Sequence, residues 1–282
     1  MKQVIKLSVI TALISLICFS CVKDKQPAIN DTIDYFPRGA LRNGLDSLID
    51  TIQQKYGLRV IYKFEPRVID PTTFFVPAKY DKAKPYTKIV VEKMWLEPIS
   101  IYAPEFSKHQ IPIEFLTVGT GIHFNSLNSG PAAGAGLNAQ YYRLGMGDVD
   151  NYALDRGWIR DHICTVYHEH AHQLDQKFGR PVGYDQVSQG TYYDLQFQYK
   201  TDEQANQDGF FTAYGGYLPE EDFATTVETM IRLPKSEVLR IAAINPKLEK
   251  KYKMVNAFYL SKGIDLHLMK VKLDSTVMAL VP

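Results

Sequence analysis

The sequence is poor in cysteine and carries almost no net charge. Its 282 residues include 3 cysteines, which argues against a fold held together by a disulfide framework. The formal net charge is +1, which argues against nucleic acid as the main partner. The remaining composition, 45% hydrophobic and 22% charged, is that of an ordinary globular protein with one large domain or two small ones.

The apolar run near the N-terminus is too short to span a membrane comfortably. It extends without a charge from Leu7 to Phe19, after a positively charged start, and it ends at Ser20-Cys21. A small residue before a cysteine at this place is typical of the cleavage site of a bacterial lipoprotein, although Cys18 stands where leucine is usual. An ordinary secretory signal and an uncleaved anchor are the alternatives.

We therefore expect a signal peptide over residues 1–20, a lipidated tether over residues 21–37 and a folded domain over residues 38–282. A lipid on Cys21 would hold the protein on the bacterial outer membrane, facing the periplasm or the cell exterior. The polar residues just after Cys21 favour export. Cleavage would leave Cys164 as the one other cysteine, so no intramolecular disulfide could form.

A His-Glu-x-x-His motif is the central feature of the sequence, and the rest of the chain makes sense as its structural support. It consists of His168, Glu169 and His172. Residues four apart lie on one face of an α-helix, so both imidazoles can point at one Zn²⁺. Glu169 lies one step round the helix, close enough to polarise a water on the metal and to act as general base.

The residues around the motif favour an amphipathic helix. Arg156-Gly157 is a suitable start for it, and Gly179-Arg180-Pro181 is a suitable stop. One face can then pack into a core while the neighbouring face meets a cleft. A surface helix that happens to be rich in histidine is the alternative. Apolar residues recur at intervals of three or four, at Ile163, Tyr167, Ala171, Leu174 and Phe178.

Four other residues of this helix have less specific expected roles. His170 points away from the ligand pair and is expected to be a solvated or core histidine. Asp175 could orient a ligand histidine, and an ordinary surface carboxylate is an equal alternative. His162 and Cys164 are expected to pack, because no base or signature accompanies the thiol.

The rest of the chain predicts an α+β protein. Helices are expected at 41–56 and 86–106, the second interrupted near Pro98, and strands at 58–64, 111–118 and 137–145, with an irregular connection over 65–85. The strand at 137–145 is expected at the edge of the sheet, facing the cleft, where Asn138-Ala139-Gln140 could hold an extended peptide. Residues 181–207 form a polar, tyrosine-rich insertion of a kind that is usually functional or mobile.

A further helix is expected to begin at Pro219, because proline suits the first turn and the acidic residues after it suit the positive end. Three short helices should follow Pro234. Charged residues interrupt the last of them, Ile264 to Leu280, so we expect it to pack on the protein rather than to contact a membrane.

A catalytic zinc usually has three protein ligands, so one ligand remains to be found. The metzincin pattern would place a histidine six residues after His172, and that residue is Phe178. A carboxylate from the helix at Pro219 is the other common solution, and there the small Ala224 would let two helices approach. Glu221 is the predicted third ligand. The carboxylates considered are Asp194, Asp202, Glu203, Asp208, Glu220, Glu221, Asp222 and Glu228, with Asp222 as second choice.

Residues 141–233 resemble the zinc-binding metallopeptidase lipoproteins of bacteria, a gluzincin family. The same segment is similar to lethal-factor-type toxin peptidases. The likeness rests on Tyr-His-Glu-His-Ala-His at Tyr167, Thr-Ala-Tyr-Gly at Thr212 and Glu-Asp-Phe-Ala at Glu221. It implies a zincin-like fold with a small mixed sheet, an active-site helix that carries the motif and a helical C-terminal part.

The resemblance also implies roles for individual residues. It makes His168, His172 and Glu221 the zinc ligands and Glu169 the base. Tyr214, seven residues before Glu221, would donate to the oxyanion, as a phenol beside a metal can. A loop aromatic that packs on the protein is the alternative for Tyr214. The sequence departs from the family at position 225, where threonine replaces a frequent glutamate that could anchor a ligand histidine.

These observations predict a zinc-dependent peptidase that is tethered to the bacterial envelope by a lipid on Cys21 and acts on peptide or protein substrates. The competing hypothesis is a non-catalytic surface lipoprotein that keeps the metallopeptidase shell and serves as a binding component of an outer-membrane uptake complex. The threonine at position 225 and the tyrosine-rich insertion favour that alternative. Zinc-assisted hydrolysis of another kind of bond is a third hypothesis.

Overall fold

The strands of the described chain are short and lie in two sheets. The computed structural model describes residues 42–63, 65, 73–124, 134–135 and 142–281. Strands β1, β3 and β6 are parallel neighbours, β5 runs antiparallel outside β6, and β2 pairs with β4 in a separate antiparallel sheet. The strands are β1 (Arg59–Ile61), β2 (Thr73–Phe74), β3 (Glu114–Thr117), β4 (His123–Phe124), β5 (Gly134–Ala135) and β6 (Arg143–Met146).

Helices make up most of the described chain, and together with the small mixed sheet they form the predicted α+β layout. A π-helical segment, Thr87–Leu96, joins α2 to α3. The predicted signal peptide and tether lie outside the described residues. The helices are α1 (Gly44–Tyr56), α2 (Tyr80–Tyr86), α3 (Glu97–Tyr102), α4 (Pro104–Gln110), α5 (Arg156–Phe178), α6 (Asp202–Asp208), α7 (Pro219–Arg232), α8 (Lys235–Ala242), α9 (Pro246–Ser261) and α10 (Leu266–Leu280).

The ends of α1 follow from its sequence. The side chain of Asn43 accepts hydrogen bonds from the backbone N–H groups of Leu45 and Asp46, which satisfies donors that a helix start leaves unpaired. Gly57 ends the helix with a φ of 76°, a left-handed conformation in which a glycine is not strained. The predicted helix is therefore present, with its start at Gly44 rather than Leu41.

Charged side chains lie buried in register across the three parallel strands. Glu114 on β3 is the register partner of Arg59 on β1 and of Arg143 on β6. Its carboxylate lies 2.6 Å from Arg143 Nη2 and 3.3 Å from Arg59 Nη1. Because each guanidinium meets a carboxylate, the cost of burying these charges is offset, and a shift of register would break the pairing.

The prediction of an edge strand at 137–145 was wrong in its placement. The described strand is Arg143–Met146, and it pairs with β3 on one side and β5 on the other, so among the described residues Gly134–Ala135 is one of the two outer strands. Asn138-Ala139-Gln140 lies outside the described residues. Strand order depends on contacts distant in sequence, which the local pattern does not contain.

The prediction of an irregular connection up to Pro85, and of a helix break near Pro98, was also wrong. The helical path begins at Tyr80 and continues to Tyr102. The backbone N–H of Glu97 bonds the carbonyl of Glu92, five residues back, so Pro98 lies in the first turn after the register changes from π to α. A missing N–H costs little in a first turn, which explains why Pro98 does not end the helix.

The tyrosine-rich insertion folds into short elements that lie against the loop before α7. It contains the 3₁₀ turns Asp185–Val187 and Asp194–Tyr199 and ends in α6. The backbone N–H of Tyr193 donates to the carbonyl of Gly216 at 2.7 Å. A Cβ at Gly216 would lie 2.2 Å from the Tyr193 ring, so this close approach requires glycine.

The predicted three C-terminal helices are present as α8, α9 and α10. The last of them buries Leu266, Met269, Leu273 and Val277 and therefore packs on the protein, as expected. No helix in the described part of the chain is both long and apolar enough to cross a membrane.

Candidate metal centre

The helix that carries the histidine motif has the ends that the sequence predicts. The side chain of Asp155 accepts from the backbone N–H of Trp158 at the start, and Gly179 follows the last residue. The predicted apolar face is buried from Ile163 to Leu174. Phe178 is 41% exposed, so the buried stripe ends one turn earlier than its spacing suggests.

Three side chains bring their ligand atoms together between α5 and α7. Nε2 of His168 lies 3.2 Å from Nε2 of His172 and 3.1 Å from a carboxylate oxygen of Glu221. Nε2 of His172 lies 3.3 Å from the same oxygen. Among the described residues, this is the group of three whose geometry could hold a metal ion. The structure thus brings together the three residues that the sequence predicts as ligands.

The shape of this triangle fits zinc. Nitrogen and oxygen ligands about 2.0–2.1 Å from a tetrahedral zinc lie about 3.3–3.4 Å from one another. The three observed separations, 3.1, 3.2 and 3.3 Å, are close to that value. A tetrahedral ion held by three protein atoms keeps a fourth position for water or substrate, which is the arrangement of catalytic zinc sites.

Glu228 determines which nitrogen of His168 faces the triangle. Its Oε2 lies 3.0 Å from Nδ1 of His168, and a carboxylate at that distance accepts the Nδ1 proton. In the neutral form that can bind a metal, the other nitrogen carries only a lone pair, and it points at the Glu221 oxygen and at His172. A cation held there would give these facing lone pairs a common partner.

Thr225 does not leave His168 unsupported, which answers for this ligand the doubt raised by the sequence. Glu228 supplies the carboxylate from one helical turn further along α7. Thr225 itself is buried, and its hydroxyl would lie 2.5 Å from a Cβ placed on Gly215. A longer side chain at position 225 would therefore crowd the turn that carries Tyr214. Glu228 could have been found from sequence, because it lies two turns beyond Glu221 on the same face.

The electrostatics of the triangle follow from its close contacts. Burial alone would lower the pKa of His168, but its hydrogen bonds to Glu221 and Glu228 raise the pKa to about 10. Burial alone would raise the pKa of Glu221, but its hydrogen bonds to His168 and His172 lower the pKa to about 2. The site therefore stabilises positive charge at the point where the three ligand atoms meet.

Glu169 is buried next to this triangle. Its side chain belongs to a residue that is 8% exposed, and burial raises its pKa, although the nearby His168 and His172 act in the opposite direction. A carboxylate with a raised pKa holds a proton more readily than one in water. This environment suits a group that takes up a proton and releases it again.

Tyr214 lies over His168 in a 3₁₀ turn, Tyr214–Gly216. The two rings are stacked, with centroids 6.1 Å apart and an angle of 21° between their planes. Burial raises the pKa of the Tyr214 phenol, and the charge of Glu221 and a hydrogen bond to it raise that pKa further. The residue is still 40% exposed, and its hydroxyl group lies beside Glu221, one corner of the triangle.

Asp222, the second choice for the third ligand, points away from the histidines. It is fully buried and lies 2.7 Å from the ammonium of Lys251. The same carboxylate oxygen, Oδ2, also accepts from the hydroxyl of Tyr192 at 3.0 Å. Glu221 and Asp222 are neighbours in sequence but lie on different faces of α7, and their carboxylates contact different partners.

Asp175, for which two roles were open, pairs with Arg180. The same guanidinium also contacts Asp185 at 2.7 Å and Glu220 at 3.3 Å. Because Asp175 lies on α5 and Glu220 on α7, Arg180 ties the end of one helix to the start of the other. The sequence did not reveal this link, since it depends on the fold.

The other α5 residues whose roles were predicted, His162, Cys164 and His170, are part of the core. His170 packs edge-on against Trp95 and Phe106, and its Nε2 lies 2.7 Å from the carbonyl oxygen of Gln110. His162 stacks on Trp158. Cys164 is buried, and burial raises the pKa of its thiol to about 12, which does not suit a nucleophile.

Comparisons with known proteins agree with this geometry. The sequence profile of the family described as "Putative zinc-binding metallo-peptidase" matches residues 41–267. A crystal structure of a putative zinc-binding metallo-peptidase from Bacteroides caccae has a similar fold, with a TM-score of 0.61 and 18% sequence identity over 84% of this chain and 94% of that one. No curated protein matches the chain. The likeness to lethal-factor-type peptidases stays a prediction. The chain belongs to the family of putative zinc-binding metallo-peptidases.

Proposed function

We propose that the protein is a zinc-dependent peptidase, with His168, His172 and Glu221 as zinc ligands. The observation that carries the proposal is the triangle of three ligand atoms at 3.1, 3.2 and 3.3 Å. A zinc ion held there would act as a Lewis acid that polarises the carbonyl of a peptide and lowers the pKa of a water.

The side chains around the triangle have matching roles in peptide hydrolysis. Glu169 takes a proton from the water that attacks the carbonyl carbon, and it passes this proton to the nitrogen as the C–N bond breaks. The hydroxyl of Tyr214 donates to the oxygen on which negative charge develops. Glu228 holds His168 in the tautomer that turns Nε2 to the triangle.

The contact between His168 and Glu228 also bears on the competing hypothesis of a non-catalytic binding protein. One argument for that hypothesis was the threonine at position 225, which cannot anchor a ligand histidine. Glu228 lies 3.0 Å from His168 Nδ1 and can anchor this histidine instead, so the threonine no longer argues against a catalytic site. The contact therefore favours a catalytic centre over a binding protein that keeps the metallopeptidase fold without its activity.

Metal content and turnover test the proposal together. We expect the full chain to bind about one zinc per molecule, a ratio that elemental analysis would measure. Glu169→Gln should keep the zinc and lose nearly all cleavage of a mixture of synthetic peptides, with products followed by mass spectrometry. Cleavage that persists in Glu169→Gln contradicts the role of the base. A folded protein without zinc in a zinc-replete buffer favours the binding protein.

We further propose that a lipid on Cys21 anchors the peptidase to the bacterial outer membrane. The support is the apolar run that ends at Ser20-Cys21. Cys21→Ala should move the protein from the membrane fraction to the soluble fraction and abolish incorporation of labelled fatty acid. Digestion of intact cells with an added protease would separate a surface-exposed protein from a periplasmic one. A Cys21→Ala variant that stays in the membrane fraction contradicts the anchor.

A further inference from the structure

Three contacts join four side chains into a chain that begins and ends on α5, and together with the backbone of that helix they form a ring between α5 and α7. Asp161 and His168 lie on α5, and Glu228 and Arg232 lie on α7. Glu228 uses both of its oxygens: Oε2 lies 3.0 Å from Nδ1 of His168, and Oε1 accepts from Nη2 of Arg232 at 3.0 Å. Nη1 of Arg232 donates to Asp161 at 2.5 Å, which returns the ring to α5.

The spacing of these residues explains why the ring can close. Asp161 and His168 are seven residues apart, two helical turns, so they lie on one face of α5. Glu228 and Arg232 are four apart and are neighbours on the surface of α7. The planar guanidinium can donate in two directions at once, so one side chain bonds Glu228 and Asp161 together. The ring therefore fixes the rotation of the Glu228 carboxylate as well as its position.

We propose that Arg232 is a positioning residue of the metal centre, which acts through Glu228 on His168 and is itself held by Asp161. Without Arg232, one oxygen of Glu228 has no fixed partner, and the carboxylate can rotate away from His168 Nδ1. His168 then loses the contact that keeps its Nε2 lone pair directed at the zinc. The inference rests on the proposed zinc site and adds a residue that does not touch it.

If Arg232 formed only a surface ion pair with Asp161, its substitution would have a different effect on zinc binding. Arg232 and Asp161 have side chains that are 40% and 66% exposed, and pairs with such exposure contribute little by themselves. The inner contact is more protected, because the side chains of Glu228 and His168 are 25% and 8% exposed. If Arg232 served only the outer pair, its removal would leave zinc affinity unchanged.

The test is the zinc dissociation constant of the full chain, measured by competition with a chromophoric chelator. Glu228→Ala should weaken zinc binding about 10–100-fold, as expected for loss of a group that orients a ligand histidine. Arg232→Met should also weaken zinc binding, by a smaller factor. Combining the two substitutions should add nothing beyond Glu228→Ala, because both act through one contact. The visible spectrum of Co²⁺ bound in place of zinc should also change in Arg232→Met.

Arg240→Met is the matched control. Arg240 pairs with Glu237 at 2.6 Å on α8, its side chain is 65% exposed, and this pair has no contact with the ring. Its substitution should leave both zinc affinity and the Co²⁺ spectrum unchanged. Melting of the metal-free proteins would verify folding. If Arg232→Met fails to fold, Asp161→Ala tests the same ring from its exposed end, and it should also weaken zinc binding.

Zinc affinity of Arg232→Met within about twofold of the wild type would overturn the inference, as would a loss that adds in full to that of Glu228→Ala. If Asp161→Ala is used instead, the same limits apply. A wild-type protein that binds no zinc would overturn the proposed function and this inference together. A wild type that binds zinc and an Arg232 variant that binds it equally well would overturn the inference alone.

Discussion

The carboxylate of Asp222 lies 2.7 Å from the ammonium of Lys251, and both side chains are fully buried. Lys251 also donates to the carbonyl of Gly209 at 2.7 Å, and the hydroxyl of Tyr192 donates to Asp222 at 3.0 Å. This pair joins α7 to α9 and to the tyrosine-rich insertion, one residue from Glu221. The position of the predicted third ligand therefore depends on a buried charge pair behind it.

We expect Lys251→Met to destabilise the protein by about 3–5 kcal/mol, because it leaves the Asp222 carboxylate buried without a counter-ion. Denaturant unfolding followed by circular dichroism measures the change. Lys253→Met is the control, since Lys253 pairs with Glu249 on the exposed side of the same helix and its side chain is 67% exposed. That control should change stability by no more than about 0.5 kcal/mol. Equal stability of the two variants would contradict the prediction.

Zinc should stabilise the folded protein, because the unfolded chain does not hold the three ligand atoms together. Free zinc at about 100 times its dissociation constant should add about 2.7 kcal/mol to the free energy of unfolding. A chelator should reverse the effect, and melting curves would measure both changes. His172→Ala should abolish the response to zinc, whereas His109→Ala, with a side chain that is 56% exposed, should keep it. A response that survives in His172→Ala would place the zinc elsewhere.

Tyr214→Phe tests the predicted donor to the oxyanion. Loss of one such donor typically lowers kcat about 10²–10³-fold, and the zinc content should not change, because the ring that stacks on His168 remains. Tyr217→Phe is a matched control, since Tyr217 stacks on Tyr214 with centroids 6.2 Å apart and has no predicted role in the reaction. Steady-state kinetics would compare the two variants. A normal kcat in Tyr214→Phe would support the alternative, an aromatic residue that only packs.

Acid should destabilise the protein through His162. The residue is 8% exposed, its ring centroid lies 3.6 Å from that of Trp158, and burial lowers its pKa from 6.5 to about 4. As the pH falls below about 6.5, the unfolded chain binds a proton that the folded chain does not bind until about pH 4. The free energy of unfolding should therefore fall across this window, by up to about 3 kcal/mol at this one residue.

His162→Phe should remove this contribution while keeping an aromatic ring in the stack. Denaturant unfolding at about pH 7 and about pH 5 gives the pH dependence of each protein, and the variant should lose less stability in acid than the wild type. His109→Gln, at an exposed position, should behave as the wild type does. Parallel curves for the wild type and His162→Phe would show that His162 has no part in the acid sensitivity.

The sequence predicted best the features that depend on residues close together in the chain. The spacing of His168 and His172 places both on one helical face, and the caps of that helix are local as well. Glu221 was predicted from a short list of carboxylates on a second helix. The structure shows that Glu221, and not its neighbour Asp222, meets the histidines. That difference depends on which face of α7 packs against α5.

The features that the sequence did not predict involve partners far apart in the chain. Position 225 suggested that a ligand histidine lacked support, yet Glu228 lies 3.0 Å from His168. Strand β6 was expected at the edge and lies inside the sheet. Pro98 was expected to break a helix and is accommodated where the hydrogen-bond register changes. Each outcome depends on packing or pairing that a local pattern does not encode.

By itself, the sequence determined the helix with its two histidines and Glu169 and the acidic helix that supplies Glu221, because helical periodicity and capping are properties of neighbouring residues. Only the tertiary structure decided how these two helices meet. Their contact selects Glu221, turns Glu228 to His168 and places Tyr214 over the same ring. The physical reason is that a metal centre needs ligand atoms about 3 Å apart, and only packing between distant segments sets that distance.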